Sequence, residues 1–306
     1  MNFLLFGRGS IGQRHESILR EMGHEVTTID PAPEAGADYQ SIDYLSPNRT
    51  IDGHAAEIKH IISQFDAVLD CTPPDVRAGW TVPARARFIE KPLGENTHPT
   101  CPVTEPTMMG FCYRYAPYLE DFINSFQGER IYSVSIVGGQ WLPDWHPGED
   151  YRERDHGTPG RGGVVLDSLP HSLYVARWML GDLDLVGAVK GHLSELELET
   201  EDVAAVLLRS RGVGVPCYLL ADYLRQPRRF YITVVHSGGT SQWEFAPKEA
   251  DQMYRRQMQV FCDMCAGKRH LDEYPTLRDG IAVQWLLDQM LLTRAERESL
   301  KRYRTG

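Results

Sequence analysis

A short apolar run, Met1-Asn2-Phe3-Leu4-Leu5-Phe6, leads at once into Gly7-Arg8-Gly9-Ser10-Ile11-Gly12. The residues from Gln13 to Met22 then read as a helix closed by Gly23. Strand, glycine loop and helix with the spacing G-x-G-x-x-G constrain this chain more than any other feature. The first glycine allows a tight turn. The second lets backbone approach a pyrophosphate, and the third lets the helix pack closely on the strand. Phosphates then meet unpaired N–H groups at the start of the helix. Gly7, Gly9, Ser10, Ile11 and Gly12 are therefore candidate cofactor-binding residues. A plain glycine turn is the alternative, but it would not need the flanking strand and helix.

The following segments extend that pattern. His24 to Asp30 reads as a second strand ending in an acid, about twenty residues past the loop, where an acid holds the ribose 2′-hydroxyl of NAD. Pro31-Ala32-Pro33 follow, with no arginine to receive a 2′-phosphate, so Asp30 points to NAD in preference to NADP. A solvated aspartate at a strand end is the other reading. Ile51 to Gln64 has helical apolar spacing through Ala55, Ile58, Ile61 and Ile62. Asp66 to Cys71 reads as a strand broken by Thr72-Pro73-Pro74, which places Cys71, Thr72 and Pro73 at a strand's carboxyl end, where α/β folds bind ligands. Arg87-Phe88-Ile89 leads into Glu90-Lys91-Pro92, and Lys91 taken alone reads as a surface lysine. Prolines 99, 102 and 106 exclude a continuous helix over 94–106. Met108 to Cys112 reads as a buried strand.

Beyond residue 117 the pattern changes. Short alternating strands and helices give way to longer strand-like stretches at 129–141, 183–194, 202–209, 214–224, 229–236 and 242–245. The fold class expected is α/β: an N-terminal Rossmann domain over 1–117, then an α/β domain over 118–306 with an open, mainly antiparallel sheet. Two helical stretches, about 250–266 and 276–299, close the chain.

The second part holds Gly162-Gly163-Val164-Val165-Leu166-Asp167-Ser168-Leu169-Pro170-His171. A helix is expected to begin near Pro170, since proline is welcome at the first helical position. Asp167 and His171 would both sit at its N-terminal end, where the helix dipole favours neutral imidazole, the form a general base needs. The same residues also suit an N-cap aspartate and a buried, satisfied histidine. Before them, Trp141 to Arg152 is aromatic and polar, suited to stacking on sugar rings and equally to an ordinary amphipathic loop.

Composition narrows the alternatives. A net charge of −10 argues against a nucleic-acid partner, and no apolar run is long enough to span a membrane. The N-terminal run has no basic region before it and is expected to be a strand rather than a signal peptide. The six cysteines form no framework, which fits a reducing cytoplasm. Cys262-Asp263-Met264-Cys265 sits inside an expected helix, so it reads as packing rather than redox or zinc chemistry. Arg225, Arg228 and Arg229 could meet a substrate phosphate or carboxylate but read first as a solvated charge cluster, and the basic tail from Arg294 to Arg304 reads as an exposed helix end. The eleven histidines show no ligand spacing, so no metal is expected.

The chain resembles the Gfo/Idh/MocA oxidoreductases, the family of glucose–fructose oxidoreductase and inositol dehydrogenase. The resemblance rests on G-R-G-S-I-G-Q-R-H at residues 7–15, Cys71-Thr72-Pro73-Pro74, Glu90-Lys91-Pro92, Gly110 to Pro117, and the G-G-x-x-x-D-x-x-x-H ending at His171. Trp141 to Arg152 and Asp222 to Arg229 resemble a branch found with surface-polysaccharide and nonulosonate sugars. The resemblance implies an NAD-dependent enzyme acting on a secondary alcohol or ketone of a sugar, sugar derivative or nucleotide-linked sugar. It makes Lys91, Asp167 and His171 the catalytic set and adds Glu90 and Lys91 to the cofactor contacts. Tyr113, Arg114, Trp145, Tyr151 and Arg152 become candidate substrate contacts. It also implies a homodimer or homotetramer built through the sheet of the second domain. His171 is the first choice of general base, and Lys91 is an alternative proton carrier if a dry site lowers its pKa. The chain departs from the family in its proline-interrupted 94–106, its reduced stretch after Asp30, and Val175 four residues after His171. A reductase of a non-sugar imine or carbonyl, and a catalytically idle dinucleotide-binding regulator, are the competing functions.

Overall fold

The computed structural model describes residues 1–40, 60–77, 84–94, 105–268 and 274–291. Most of the helix expected over Ile51–Gln64, most of the proline-rich stretch and the basic tail lie outside the described residues. The chain divides into two compact units, Met1–Tyr115 with Ala250–Ile281, and Ala116–Glu249 with the chain from Ala282 on.

The first unit is built on a parallel sheet of order β2-β1-β3-β4-β5. Its strands are β1 (Asn2–Phe6), β2 (Glu25–Ile29), β3 (Ala67–Asp70), β4 (Arg87–Ile89) and β5 (Thr107–Met109). The apolar residues that made β1 legible are buried on both faces, as a parallel sheet requires. Leu4, Phe6 and Val68 pack with Ile29 and Ile62 in one cluster. Phe3 and Phe88 on the other face meet the ring of Phe261, with centroids 5.8 and 5.5 Å away. Phe261 belongs to α6 (Ala250–Cys265), whose buried Met253, Gln257, Phe261 and Met264 recur at helical spacing. This late helix, rather than one from the N-terminal sequence, lies beside α1 (Ser10–Glu21), and Arg14 and Asp251 bridge the two at 3.3 Å. The described chain also carries two shorter helices, α2 (Pro74–Arg77) in the first unit and α3 (Leu119–Asn124) in the second.

Register decides where the candidate residues fall. Phe6 is level with both Ile29 and Asp70, Asp70 with Ile89, and Ile89 with Met109. All five strands thus end together, and their carboxyl ends deliver Gly7–Gly12, Asp30, Cys71–Pro73, Glu90–Pro92 and Gly110 to one edge. With β1 between β2 and β3, that edge includes the point where the strand order reverses, the place where open α/β sheets bind ligands.

The second unit carries a six-stranded sheet of order β11-β10-β6-β9-β8-β7. The strands are β6 (Ile131–Gly139), β7 (Leu183–Gly191), β8 (Val203–Ser210), β9 (Pro216–Asp222), β10 (Arg229–His236) and β11 (Gly239–Glu244). All neighbouring pairs are antiparallel except β6 and β9, which run parallel, so the sheet is mixed. Alternation is clear: Ala204, Val206 and Leu208 of β8 and Cys217, Leu219 and Ala221 of β9 point inward. The helix α5 (Leu169–Leu180) packs on β6 and β9, burying Leu169, Leu173, Val175 and Ala176. It follows a single turn, α4 (Val164–Asp167), and ends at Gly181 with φ +74°. The helix α7 (Leu277–Leu291) closes the described chain.

Candidate functional site

In the first unit the glycines do three different jobs. A Cβ on Gly12 would lie 2.0 Å from the carbonyl oxygen of Gly7, so α1 can sit this close to the loop only with glycine there. Gly7 has φ +83° and a Cβ position 2.7 Å from the Cys71 carbonyl carbon, which ties the loop to the end of β3. Gly9 is the opposite case. A Cβ there would find no described atom within 4 Å, and its φ of −71° suits any residue. The protein itself does not require glycine at this position, whereas a ligand backed onto the loop does. Gly9 is also the N-cap of α1 and offers no side-chain cap to the first amides of Ser10, Ile11 and Gly12. This open cradle on a twelve-residue helix fits a pyrophosphate.

Asp30 lies beside the cradle. Its Oδ2 accepts the Arg8 amide at 2.6 Å, and its Oδ1 accepts the Ala32 amide at 2.9 Å. The carboxylate is thereby fixed, with lone pairs remaining for a ribose hydroxyl. Reading the residues after Asp30 gives no arginine, but folding supplies one from the loop before it. Arg8 donates to the carbonyl oxygen of Ala35 and to Glu16.

The Cys71–Pro73 and Glu90–Pro92 turns are held from below. Thr72 donates through both its amide and its hydroxyl to Asp70 Oδ1, at 3.0 and 2.5 Å. The buried Arg77 donates to the carbonyl oxygens of Thr72, Glu90 and Pro92, joining the two turns. Burial, then Glu90 and Asp70, push the Cys71 thiol well above the usual range, so it is a protonated wall and not a nucleophile. Glu90 points inward. It meets His15 Nε2 at 2.8 Å, accepts the Lys91 amide at 3.1 Å, and fills the space a side chain at Gly110 would need. The histidine that ends G-R-G-S-I-G-Q-R-H thus braces the turn that presents Lys91. The spacing of the two motifs carries no hint of that pairing. Tyr113 is buried and Arg114 half-buried in the turn Cys112–Tyr115.

In the second unit Asp167 sits at the end of α4, two residues before α5, and Ser168 is the N-cap. His171 is in the first turn of α5 as expected and is half-buried. Asp167 therefore does not cap the helix. Its Oδ2 instead meets His156 Nδ1 at 3.2 Å and accepts the Tyr223 hydroxyl at 3.4 Å. Burial, then the Asp167 charge, hold the Tyr223 hydroxyl far above its ordinary pKa, so it stays a proton donor. Trp145 stacks on His156 at 4.8 Å between ring centroids, and His146 faces the same imidazole at 5.8 Å.

His156 escaped the sequence reading. Its place is set by the two glycines that did not. Gly163, with φ +84°, donates its amide to the His156 carbonyl at 2.8 Å, and Thr200 donates to the same oxygen at 3.0 Å. A Cβ on Gly162 would lie 2.1 Å from the Asp155 carbonyl. The Gly162-Gly163 pair is thus a backbone clamp on the turn Asp155–Gly157, and its signal was readable even though its target was not. Tyr151 and Arg152 lie on the same loop but are engaged elsewhere. Arg152 holds Asp150 by a bidentate pair, with its Nη2 2.6 Å from Oδ2, and reaches Glu197 at 3.2 Å. The Tyr151 hydroxyl accepts the Glu197 amide at 3.1 Å.

The helical Cys262 and Cys265 thiols are pushed up to about 11 and about 12 by burial, which leaves them protonated. Among the described residues no three His, Cys, Asp or Glu side chains gather as a metal site, and no helix is long and apolar enough to cross a membrane.

Residues 107–242 match the GFO/IDH/MocA C-terminal domain. No curated protein sequence matches the chain. Among solved structures it is similar to GenD2 from gentamicin A biosynthesis, in complex with NAD, at 17% identity and a TM-score of 0.72 over 94% of this chain and 92% of that one. It is also similar to a myo-inositol dehydrogenase from Corynebacterium glutamicum, at 16% identity and 0.70 over 95% of each chain. A third likeness is to the WlbA dehydrogenase from Bordetella pertussis, in complex with NADH and UDP-GlcNAcA, at 20% identity and 0.68 over 94% of each. At these identities the likeness establishes the fold.

Proposed function

We propose that this chain, a Gfo/Idh/MocA protein by its C-terminal domain at residues 107–242, is an NAD-dependent oxidoreductase. Its substrate is a secondary alcohol or ketone of a sugar, sugar derivative or nucleotide-linked sugar. The observation that carries this reading is the open cradle at Gly9, flanked by two glycines that packing does require and by the fixed carboxylate of Asp30. Structures of similar fold hold NAD, NADH or a UDP-sugar, which supports the choice of cofactor and substrate class.

The nicotinamide group supplies or accepts the hydride when bound. The chain's own residues must hold it and move one proton. Gly7, Gly9, Ser10, Ile11 and Gly12 take the pyrophosphate, Asp30 takes the ribose, and Cys71, Thr72 and Pro73 form the rim. Glu90 acts as a positioning residue for Lys91. Lys91 hydrogen-bonds the reacting oxygen and stabilises its developing charge. His171 is the general base, a role worth about 10²–10⁴-fold. Asp167 holds the polar group beside it in place. The bonds of His156 and Tyr223 to the same Asp167 oxygen support adding both to that group. Tyr113, Arg114 and Trp145 are the first candidates for substrate contact, with Trp145 as the ring for a sugar face, and Tyr151 and Arg152 join them only on release from Glu197 and Asp150.

The first unit is the NAD-binding part, and the second is the substrate and oligomerisation part. The outer face of its sheet leaves Val189, Leu207, Tyr218 and Val235 exposed, which supports assembly as a homodimer or homotetramer. The test is turnover and NADH affinity of Lys91→Ala and His171→Ala across inositols, hexoses and UDP-sugars. Turnover is expected to fall about 10²-fold or more while NADH still binds. Near wild-type turnover in both variants would remove the assignment.

A further inference from the structure

The ribose end of the cradle contains a cation that the order of the residues hides. Arg8 lies between Gly7 and Gly9, and its side chain crosses to the loop that follows Asp30, where it donates to the Ala35 carbonyl. A Cβ on Gly36 would lie 3.5 Å from its Nη1. An arginine in this position is what a 2′-phosphate requires, and the neighbouring acid is what a bare 2′-hydroxyl requires. The chain carries both.

Glu16 arbitrates between them. Its side chain is only 7% exposed, and its Oε2 accepts Arg8 Nε at 2.7 Å. Its Oε1 accepts Arg20 at 3.0 Å. A charge-assisted bond to a nearly buried carboxylate is about twice as strong as a neutral one, so it holds the guanidinium in place. Around this end of the cradle stand Glu16, Asp30 and Asp38 against Arg8 and Arg20. Glu34 belongs to the turn Pro33–Ala35 that Arg8 reaches, so among the described residues acids outnumber bases here. A 2′-phosphate would bring about two further negative charges.

We propose that Glu16 is a cofactor-selectivity residue: by engaging Arg8 it keeps the site for dinucleotides with a bare 2′-hydroxyl. This rests on the reading of the cradle as an NAD site. Without the Glu16 charge, Arg8 becomes the counter-ion of a 2′-phosphate.

The test is the ratio of NADPH to NADH dissociation constants, measured by nucleotide fluorescence in the whole chain. Glu16→Gln keeps the side chain's shape and removes its charge. The ratio should fall about tenfold, the scale of one charge-assisted bond. Adding Arg8→Ala to that variant should restore the wild-type ratio. In the wild-type background Arg8→Gln should raise the ratio, because it leaves the acids in excess, and this arm stands even if Glu16→Gln does not fold. An unchanged ratio in Glu16→Gln, a gain that survives loss of Arg8, or a lowered ratio in Arg8→Gln overturns the inference. Failure of the wild type to bind either nucleotide overturns the cradle reading instead. NADH binding with an unmoved ratio removes Glu16 alone.

Discussion

The Gly7–Gly12 cradle and the Asp167 cluster are built in opposite ways. The cradle is made of backbone from consecutive residues, and its geometry follows from where side chains are missing. The Asp167 cluster is made of side chains drawn from three separate stretches, His156, Asp167 and Tyr223, with Trp145 and His146 stacked outside them. One is a shape set by the sterics of consecutive residues. The other is a set of contacts that several different sequences could supply. The cradle therefore reads as the general part of the protein, and the cluster as the part where its particular chemistry is decided.

The sharpest way to separate the two is to damage each in turn. Asp167→Asn should lower turnover about 10²–10⁴-fold while leaving NADH affinity within a few-fold, as steady-state rates and a nucleotide titration would reveal. Equal losses in both would mean that the cluster and the cradle are not distinct. Next in size is Gly12→Ala. The new Cβ meets backbone at 2.0 Å, so the loop or α1 must shift. A stability loss of about 3 kcal/mol is expected in urea unfolding, with weakened NADH binding. His156→Phe should preserve the stack on Trp145 but lose the bond to Asp167. Turnover is expected to fall about tenfold, as for one hydrogen bond to a charged group. Gly9→Ala separates ligand from fold: its unfolding midpoint should stay within about 0.5 kcal/mol of wild type, while NADH binds more weakly. A destabilised Gly9→Ala would mean that the loop's openness serves packing.

The smallest effect lies on the aromatic loop. The Arg152 guanidinium and then its amide hold the Asp150 carboxyl down to about 2. A carboxyl depressed in the folded state adds stability above its unfolded pKa of about 3.9, and that contribution is lost as pH falls toward 2. Because Asp150 is only half-buried and open to solvent the contribution is screened, and carboxyl NMR is the way to see it. Arg152→Gln should move this titration upward. No movement would show that the pair does not persist in solution, leaving Arg152 available to a substrate.

The contrast also explains what could be read from the sequence. A glycine loop between a strand and a helix is local, and each glycine's role follows from sterics, so the cradle was legible to the residue. The strands before Asp30, Cys71–Pro73 and Lys91 were also legible, and the register brings those strand ends level. The strands of the second sheet were legible from alternation, including β8 and β9, whose inward residues fall at every second position. What stayed hidden depends on long-range pairing. Nothing near His15 announces Glu90, 75 residues away, and nothing near Arg77 announces that it joins two turns. The place of α6 in the first unit was hidden too, because its apolar stripe shows that it packs but not against which sheet. Asp167 was singled out beside His171, but its partners His156 and Tyr223 lie on other elements and carried no local signal.

The proposed chemistry requires that the cradle receive a dinucleotide. Titration of the purified chain with NADH by isothermal calorimetry tests that directly. One NADH per chain should bind saturably, and Gly9→Asp, which places a charged side chain in the open space of the loop, should abolish binding while the protein remains folded. The absence of NADH binding by the wild type, or undiminished binding by folded Gly9→Asp, would contradict it.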